Sequence, residues 1–349
     1  MFCCCALFHA PPHGYASPSS SLSEFGCRNF PMSTSVRIAV IGDVHDDWNL
    51  EEDTKALQLL KPDLVLFTGD FGNENVDIVR SVSKLEFAKA VILGNHDAWN
   101  TQKFSAREKD AVQLELECLG NEHVAYQRID FPNLKMSVVG GRPFSCGGDN
   151  FFRKKLLMAR YGVRDVADSA KRIYEAALRT PDDNSVIFLA HNGPTGLGTN
   201  MDDICGRDWI PGGGDHGDSD LAHAISELKM STKIRIPLVV FGHMHKELAY
   251  GNGVRKMLVV GEDNTMYLNG AIVPRVKRIR NETGNSSERS KLGQTSIPIS
   301  NAQGTLRAFT VVDIVDGSLM KIAETWVSVI GDRTAIEKEQ LIFKQSSKI

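Results

Sequence analysis

The stretch Ala90-Val91-Ile92-Leu93-Gly94-Asn95-His96-Asp97 joins four apolar residues to an amide, an imidazole and a carboxylate. The apolar run has the length and composition of a buried strand, and the polar residues follow it directly. Three side chains of this kind in one short loop suggest binding or catalysis. The rest of the sequence decides whether other such side chains reach the same place.

The segment before this stretch alternates strands and helices. Residues 36–41 and 64–67 read as strands, and 48–60 and 76–85 have apolar residues at helical spacing. This order predicts parallel strands, whose carboxyl ends meet at one edge of a sheet. All three strands end in polar residues: Asp43 and His45 after the first, Asp70 after the second, and Asn95 to Asp97 after the third.

Two later strands end in the same way. The strand at 186–190 leads to His191, and the strand at 237–241 leads to Gly242-His243-Met244-His245. A helical insertion is predicted at about 150–180. Beyond residue 250 we expect antiparallel strands at 256–260, 265–268, 306–314 and 319–329, with Asp316-Gly317 as a hairpin turn.

The pattern predicts a single domain over residues 36–330, with a flexible loop at about 281–303. We expect the tail at 331–349 to form a short helix, and the sequence assigns it no role. Residues 1–32 are rich in Ser, Pro and Cys and contain only two charged residues. Such a leader predicts a transit peptide, of chloroplast rather than mitochondrial type. The alternatives are a plain disordered tail, or a true start at Met32 and a cytoplasmic protein.

Composition excludes some classes of protein. The 349 residues are 42% hydrophobic and 24% charged, with a formal net charge of -3. No uninterrupted apolar run reaches the ~18 residues of a membrane span, so we expect none. A protein that binds nucleic acid or an anionic membrane through its bulk charge is usually basic, so neither partner is indicated, although nucleic acid is not excluded.

In order and residue type, the five strand-end clusters resemble the signature of the calcineurin-like metallophosphoesterase superfamily: D-x-H, G-D, G-N-H-[DE], H and G-H-x-H. The resemblance implies an α/β fold, a four-layer αββα sandwich of two mixed β-sheets flanked by helices. It also implies two divalent metal ions. Their ligands would be Asp43, His45, Asp70 and His245 for one ion, and Asp70, Asn95, His191 and His243 for the other.

Dinuclear chemistry explains this choice of residues. Two ions about 3.5–4 Å apart can clamp a phosphoryl group and generate hydroxide near neutral pH, which favours a shared ligand such as the Asp70 carboxylate. Nitrogen and oxygen ligands without thiolate suit manganese, iron or zinc. The resemblance implies attack by metal-bound hydroxide, with His96 protonating the leaving oxygen and Asp97 setting the tautomer of His96. We expect Gly94 to permit a turn, and Gly242 to let both following histidines reach the metals.

Substrate contacts are less well determined by the sequence. Arg142 follows a strand and could bind phosphate, and Arg207 and Trp209 lie in a Gly- and Asp-rich loop that could close over substrate. Protein Ser/Thr phosphatases of the superfamily carry G-D-x-V-D-R-G, whereas this chain reads Gly69-Asp70-Phe71-Gly72-Asn73-Glu74. This departure argues against a protein phosphatase. Together with the plant-like leader, the sequence more closely resembles a plant and cyanobacterial branch of the superfamily.

We expect a phosphoesterase that hydrolyses a phosphate mono- or diester, most simply of a phosphorylated small molecule. The alternatives are a phosphodiesterase acting on a nucleotide or nucleic acid, and a non-catalytic metal-bound scaffold of the same fold.

Overall fold

The structure, a computed structural model, describes residues 34–103, 108–280 and 302–345. Its first sheet is built on three parallel strands, β1 (Ser35–Ile41), β2 (Leu64–Phe67) and β3 (Lys89–Val91). Helix α1 (Leu50–Leu60) connects β1 to β2, and α2 (Val76–Ser83) connects β2 to β3. Asn49 and Asn75 cap these helices, each accepting a backbone N–H bond in the first turn.

Antiparallel strands from the C-terminal part of the chain complete this sheet. They are β10 (Val276–Arg280), β11 (Ala302–Val315), β12 (Ser318–Ile330) and β13 (Arg333–Lys344). The strand order is β13-β12-β11-β1-β2-β3, and β10 also pairs with β11. The hairpin expected at Asp316-Gly317 joins β11 to β12, and both residues have positive φ angles of 49° and 73°.

The second sheet has the order β4-β5-β6-β7-β9-β8. Its strands are β4 (Arg128–Phe131), β5 (Met136–Gly140), β6 (Ser185–Leu189), β7 (Leu238–Phe241), β8 (Leu258–Val260) and β9 (Met266–Asn269). Strands β5, β6, β7 and β9 run parallel to one another, and β4 and β8 are the antiparallel edges. The remaining α-helices are α3 (Ala111–Leu119), α4 (Lys154–Tyr161), α5 (Val166–Leu178) and α6 (Ser219–Ser231).

The two sheets pack face to face. Ile38, Leu66 and Ala90 of the first sheet share a fully buried apolar cluster with Ile187 and Val240 of the second. Helix α1 contacts β12 and β13 on the outside of the first sheet, and α5 contacts β5 of the second. Both sheets are mixed and flanked by helices, so the predicted fold class is confirmed. Parallel strands from both sheets end at the same side of the sandwich, where the site lies.

Several predicted elements were wrong in detail. The tail is not a helix: β13 pairs antiparallel with β12 along its length. Strand β10 was missed. Strands β8 and β9 pair antiparallel with each other as expected, but β9 also pairs in parallel with β7, which was not predicted. Helix α3 begins at Ala111, because Asp110 caps it by accepting the N–H of Gln113.

Two predicted segments lie outside the described residues. These are the leader at 1–32 and the flexible loop at about 281–303, of which only the last two residues are described, at the start of β11. The leader and the domain bounds therefore stay predictions. In the part of the chain that the structure describes, no helix has the length and apolar character needed to span a bilayer.

Candidate metal centre

Five loops converge where β1, β2, β3, β6 and β7 end. They carry all seven side chains that the sequence predicts as metal ligands: Asp43 and His45, Asp70, Asn95, His191, and His243 and His245. The structure brings these seven side chains together. Because they come from both sheets, their convergence depends on the face-to-face packing of the two sheets.

Asp70 lies at the middle of this cluster. Its Oδ2 is 3.9 Å from Nε2 of His45, and its Oδ1 is 3.5 Å from Nε2 of His191. On one side, Nε2 of His245 lies 3.4 Å from an Asp43 carboxylate oxygen and 3.0 Å from Nε2 of His45. The two oxygens of Asp70 thus face two different sets of side chains, which is the geometry of a bridging carboxylate.

Four of these residues have a backbone conformation that is rare for residues other than glycine. The φ angles are 42° at Asp43, 41° at His45, 51° at Asp70 and 66° at His243. Each such residue costs on the order of 1 kcal/mol or more, so the surrounding contacts must hold it in place. The backbone N–H of His45 donates to the Asp70 carbonyl at 2.7 Å, and that of His243 donates to the Asp43 carboxylate at 2.9 Å.

Glycines allow the close approach of these loops. A Cβ at Gly94 would lie 2.3 Å from Oδ1 of Asp70 and 2.5 Å from the His191 ring, and one at Gly242 would lie 2.1 Å from Oδ1 of Asp43. Neither glycine has a positive φ, so both are needed for space rather than for a turn. The turn that directs the two histidines after Gly242 is instead made by His243 itself.

Burial and mutual charge control protonation in the cluster. Burial, together with the nearby Asp43 and Asp97 carboxylates, raises the pKa of Asp70 well above its usual range. Burial lowers the pKa of His45 to about 4 and that of His243 well below its ordinary value. Asp70 therefore needs nearby positive charge to ionise, and His45 and His243 are neutral imidazoles with free lone pairs. His245 differs, because its contact with the Asp43 carboxylate raises its pKa despite burial.

These donors fit two divalent cations. Among the described residues, donor atoms within 4.8 Å of one another form three groups. Two of them contain three of the four members of each expected ligand set: Asp43, His45 and His245; and Asp70, His191 and His243. Oδ1 of Asn95 lies 2.8 Å from Nε2 of His191 and extends the second set. The third group contains His45, Asp70 and His96. Buried nitrogen and oxygen donors of this kind suit transition metals.

His96 lies beside the cluster and has an unexpected partner. Its Nδ1 is 2.6 Å from Oδ1 of Asn73, and its backbone N–H donates to Oδ1 of Asp70 at 2.8 Å. Its ring centroid is 5.0 Å from that of His45, and burial lowers its pKa. Asn73 was not predicted as a site residue, although its position in the motif after β2 could have indicated it. Asn73 stands where the protein phosphatase pattern has its second Asp.

The role predicted for Asp97 was wrong. Its carboxylate accepts three backbone N–H bonds, from Asp70 at 2.9 Å, from Phe71 at 2.8 Å and from Gly94 at 2.8 Å. Asp97 is fully buried and its side chain turns away from the His96 ring. It joins the loops after β2 and β3 and does not orient the imidazole.

Arg142 is also placed differently from the prediction. Its side chain is about 1% exposed, and its guanidinium donates to Asp218 at 2.7 Å and to the Gly148 carbonyl at 2.8 Å, with Asp220 at 3.2 Å. The two buried carboxylates of Asp218 and Asp220 balance the charge of the Arg142 guanidinium, so its place is inside the fold rather than beside a bound phosphate. It holds together the loops that follow β5 and precede α6.

The loop that follows β6 does reach the site. The Trp209 indole packs edge-to-face on His216, with ring centroids 5.0 Å apart, and His216 in turn stacks on His243 at 6.0 Å. Arg207 is half-buried and close enough for its charge to lower the pKa of His216, although burial is the larger cause. Both predicted residues of this loop therefore lie near the cluster, and His216 separates Trp209 from it.

Two more residues near the cluster were missed by sequence reasoning. Trp99 stacks on His96 with ring centroids 4.8 Å apart, and it follows the quoted stretch by two residues. Arg255 is buried and donates to the carbonyls of His245 at 3.0 Å and Gly206 at 2.7 Å. Arg255 thereby ties the Trp209 loop to a residue of the cluster.

Comparison with known proteins gives one sequence match and several structural similarities. A family model described as calcineurin-like phosphoesterase matches residues 36–247. No curated protein matches the sequence.

The similar solved structures include the following three. A dimetal phosphatase from Danio rerio has a TM-score of 0.44 and 10% identity, over 89% of this chain and 99% of that one. The purple acid phosphatase PPD1 of yellow lupin seeds has a TM-score of 0.43 and 13% identity, over 88% of this chain and 54% of that one. A predicted phosphoesterase from Streptococcus pneumoniae has a TM-score of 0.31 and 10% identity, over 88% of this chain and 98% of that one.

Proposed function

The chain belongs to the calcineurin-like phosphoesterase family, and we propose that it is a metal-dependent phosphoesterase with a dinuclear centre at the convergence of its five strand-end loops. The observation that carries this proposal is the arrangement of donors. Asp43, His45 and His245 form one group of donors and Asp70, His191 and His243 another, with the donor atoms of each group within 4.8 Å of one another. Asp70 also faces His45 of the first group at 3.9 Å.

The proposed ligands follow from these contacts. Asp43, His45 and His245 would hold one ion, Asn95, His191 and His243 the other, and Asp70 both. Manganese, iron and zinc all suit this mixture of donors. When bound, the ions would supply Lewis acidity to the phosphoryl oxygens and lower the pKa of an attacking water.

His96 is the proposed proton donor to the leaving oxygen. Because Nδ1 faces Oδ1 of Asn73 at 2.6 Å, Asn73 accepts the proton of that nitrogen. The imidazolium form of His96 would donate its Nε2 proton to the leaving oxygen and return to the neutral form that is protonated on Nδ1. The neighbouring Trp99 ring limits rotation of the imidazole. Asn73 and Trp99 would therefore be positioning residues, and His96 would touch the leaving group.

Metal removal and return test the proposal. The full chain is treated with a chelator, reloaded separately with manganese, zinc or iron(II), and assayed on 4-nitrophenyl phosphate and bis(4-nitrophenyl) phosphate. We expect turnover to need metal, and to fall by about 100-fold or more in Asp70→Asn and His96→Ala. His223→Ala, at an exposed histidine of α6, is the matched control.

Full activity in both site variants would contradict the mechanism. Retention of two ions per chain with no turnover of any ester would support a non-catalytic scaffold instead. The complete donor set and the presence of His96 favour the enzyme.

A further inference from the structure

Two exposed tryptophans flank the candidate metal centre. The chain has four tryptophans, of which Trp48 and Trp326 are buried, whereas Trp99 is 45% exposed and Trp209 is 44% exposed. Exposed indole is a large apolar surface that commonly serves in recognition. That both exposed tryptophans lie at this centre calls for an explanation in terms of substrate.

The two indoles lie at opposite ends of one series of contacts. On one side, Trp99 stacks on His96, which lies 5.0 Å from His45, and His45 faces Asp70. On the other side, Trp209 packs on His216, and His216 stacks on His243. The His243 ring lies 5.1 Å from that of His191, which also faces Asp70. Each indole is thus one imidazole removed from a proposed metal ligand.

Charged groups hold the backbone segments that carry the two tryptophans. Arg153 donates to the carbonyls of Ala98 and Trp99, and its guanidinium lies 4.2 Å from the centre of the Phe152 ring, which adjoins Trp99. Asp208, next to Trp209, accepts the N–H of Ala249 at 2.7 Å and pairs with Arg255 at 3.1 Å. Anchored aromatic side chains lose little entropy when they bind a planar ligand.

From this placement we propose that the substrate is a short phosphodiester that links two nucleosides, with one base contacting Trp99 and the other contacting Trp209. The inference rests on the proposed function. A phosphomonoester has one organic substituent, the leaving group, which would lie beside His96 and Trp99. Only a diester has a second organic group that could reach Trp209.

Charge and stacking set the class of that diester. Nucleobases stack on aromatic side chains with about 1–3 kcal/mol per base, largely independent of sequence. A long polyanion would require a basic groove, whereas the chain has a formal net charge of -3. A dinucleotide fits better than a polymer.

A pair of diesters isolates the role of Trp209. Bis(4-nitrophenyl) phosphate and methyl 4-nitrophenyl phosphate have the same leaving group and the same charge, and differ only in whether the second ester group is aromatic. We expect the kcat/KM for bis(4-nitrophenyl) phosphate, divided by that for the methyl ester, to fall about 5- to 100-fold in Trp209→Ala and to be largely kept in Trp209→Phe. The same ratio should be unchanged in Ile336→Ala, an exposed apolar control on β13.

Fluorescence gives a readout that does not depend on turnover. Stacking of bases quenches exposed indoles, so adenylyl-(3′,5′)-adenosine should quench part of the emission of the full chain. We expect each of Trp99→Phe and Trp209→Phe to lose part of this quenching and the double variant to lose all of it, since Trp48 and Trp326 are buried.

An unchanged ratio in Trp209→Ala, or turnover of 4-nitrophenyl phosphate but of neither diester, would overturn the inference and leave the phosphoesterase proposal standing. Turnover of no ester with any metal would contradict the proposed function itself, and this inference with it.

Discussion

Replacement of Asp97 distinguishes a residue that joins two loops from one that orients His96. Asp97→Ala removes the acceptor of three buried N–H groups, two of which bond to Oδ2 and one, from Phe71, to Oδ1. A buried donor left unpaired costs about 1–3 kcal/mol. Burial also raises the pKa of Asp97 to about 7, so removing its charge recovers part of this loss.

We expect a net loss of about 2–4 kcal/mol in the free energy of unfolding of the metal-loaded protein for Asp97→Ala. Asp97→Asn should lose only about 1 kcal/mol, because its oxygen can keep both bonds made to Oδ2 and only the bond from Phe71 is lost. Urea denaturation followed by circular dichroism measures both values. Asp182→Ala, at an exposed position, is the control.

The contacts of Asp97 also predict how kcat changes in Asp97→Ala. Asp97→Ala molecules that remain folded at low temperature should keep a measurable kcat, because the Asn73 contact to His96 is intact. Unchanged stability of Asp97→Ala, together with a loss of kcat as large as that of His96→Ala, would refute the structural role and restore the orienting one.

Three further predictions test other contacts. Asn73→Ala should lower kcat about 10-fold or more without changing the free energy of unfolding, and Asn73→Asp, which keeps an acceptor beside His96, should recover most of it in the same steady-state assay. Gly94→Ala should reduce bound metal below that of the wild type by elemental analysis, because its Cβ would lie 2.3 Å from Oδ1 of Asp70. Burial raises the pKa of Glu115 to about 10, so the folded state keeps a proton that the unfolded state releases, and stability should fall as pH rises from about 5 to 8. Glu115→Gln should reduce this slope by up to about 1.4 kcal/mol per pH unit in denaturation measured across that range, and an unchanged slope would show that Glu115 is not the group responsible.

The sequence predicts the convergence of the loops much better than it predicts the directions of side chains. Parallel strands must end at the same edge, so the polar residues after β1, β2 and β3 could be placed together from the order of elements alone. No such rule says which way Asp97 turns within a tight loop. Its distance of one residue from His96 suggested a contact, whereas its side chain bonds to backbone groups on the neighbouring loop.

Arg142 and β13 were misplaced for different reasons. Arg142 follows a strand that ends near the site, but the acids that hold it, Asp218 and Asp220, are more than 70 residues later in the chain. Strand β13 is exposed on most of both faces and its pairing with β12 shifts register twice, so it has no apolar alternation. Its Lys and Glu residues instead resemble the surface of a helix.

The residues that shape this centre are different from those that would bind metal, and this difference limits what a motif can reveal. Asp43, His45, Asp70 and His243 each hold a left-handed backbone, which a free loop would relax. Buried side chains such as Asp97 oppose that relaxation by bonding across loops, since the three N–H groups it accepts come from the loops after β2 and β3. Motif residues identify the chemistry of the donors, whereas their spacing depends on contacts between distant segments. A chain with all five motifs but without such contacts would have the same ligands in a looser arrangement, with weaker metal binding.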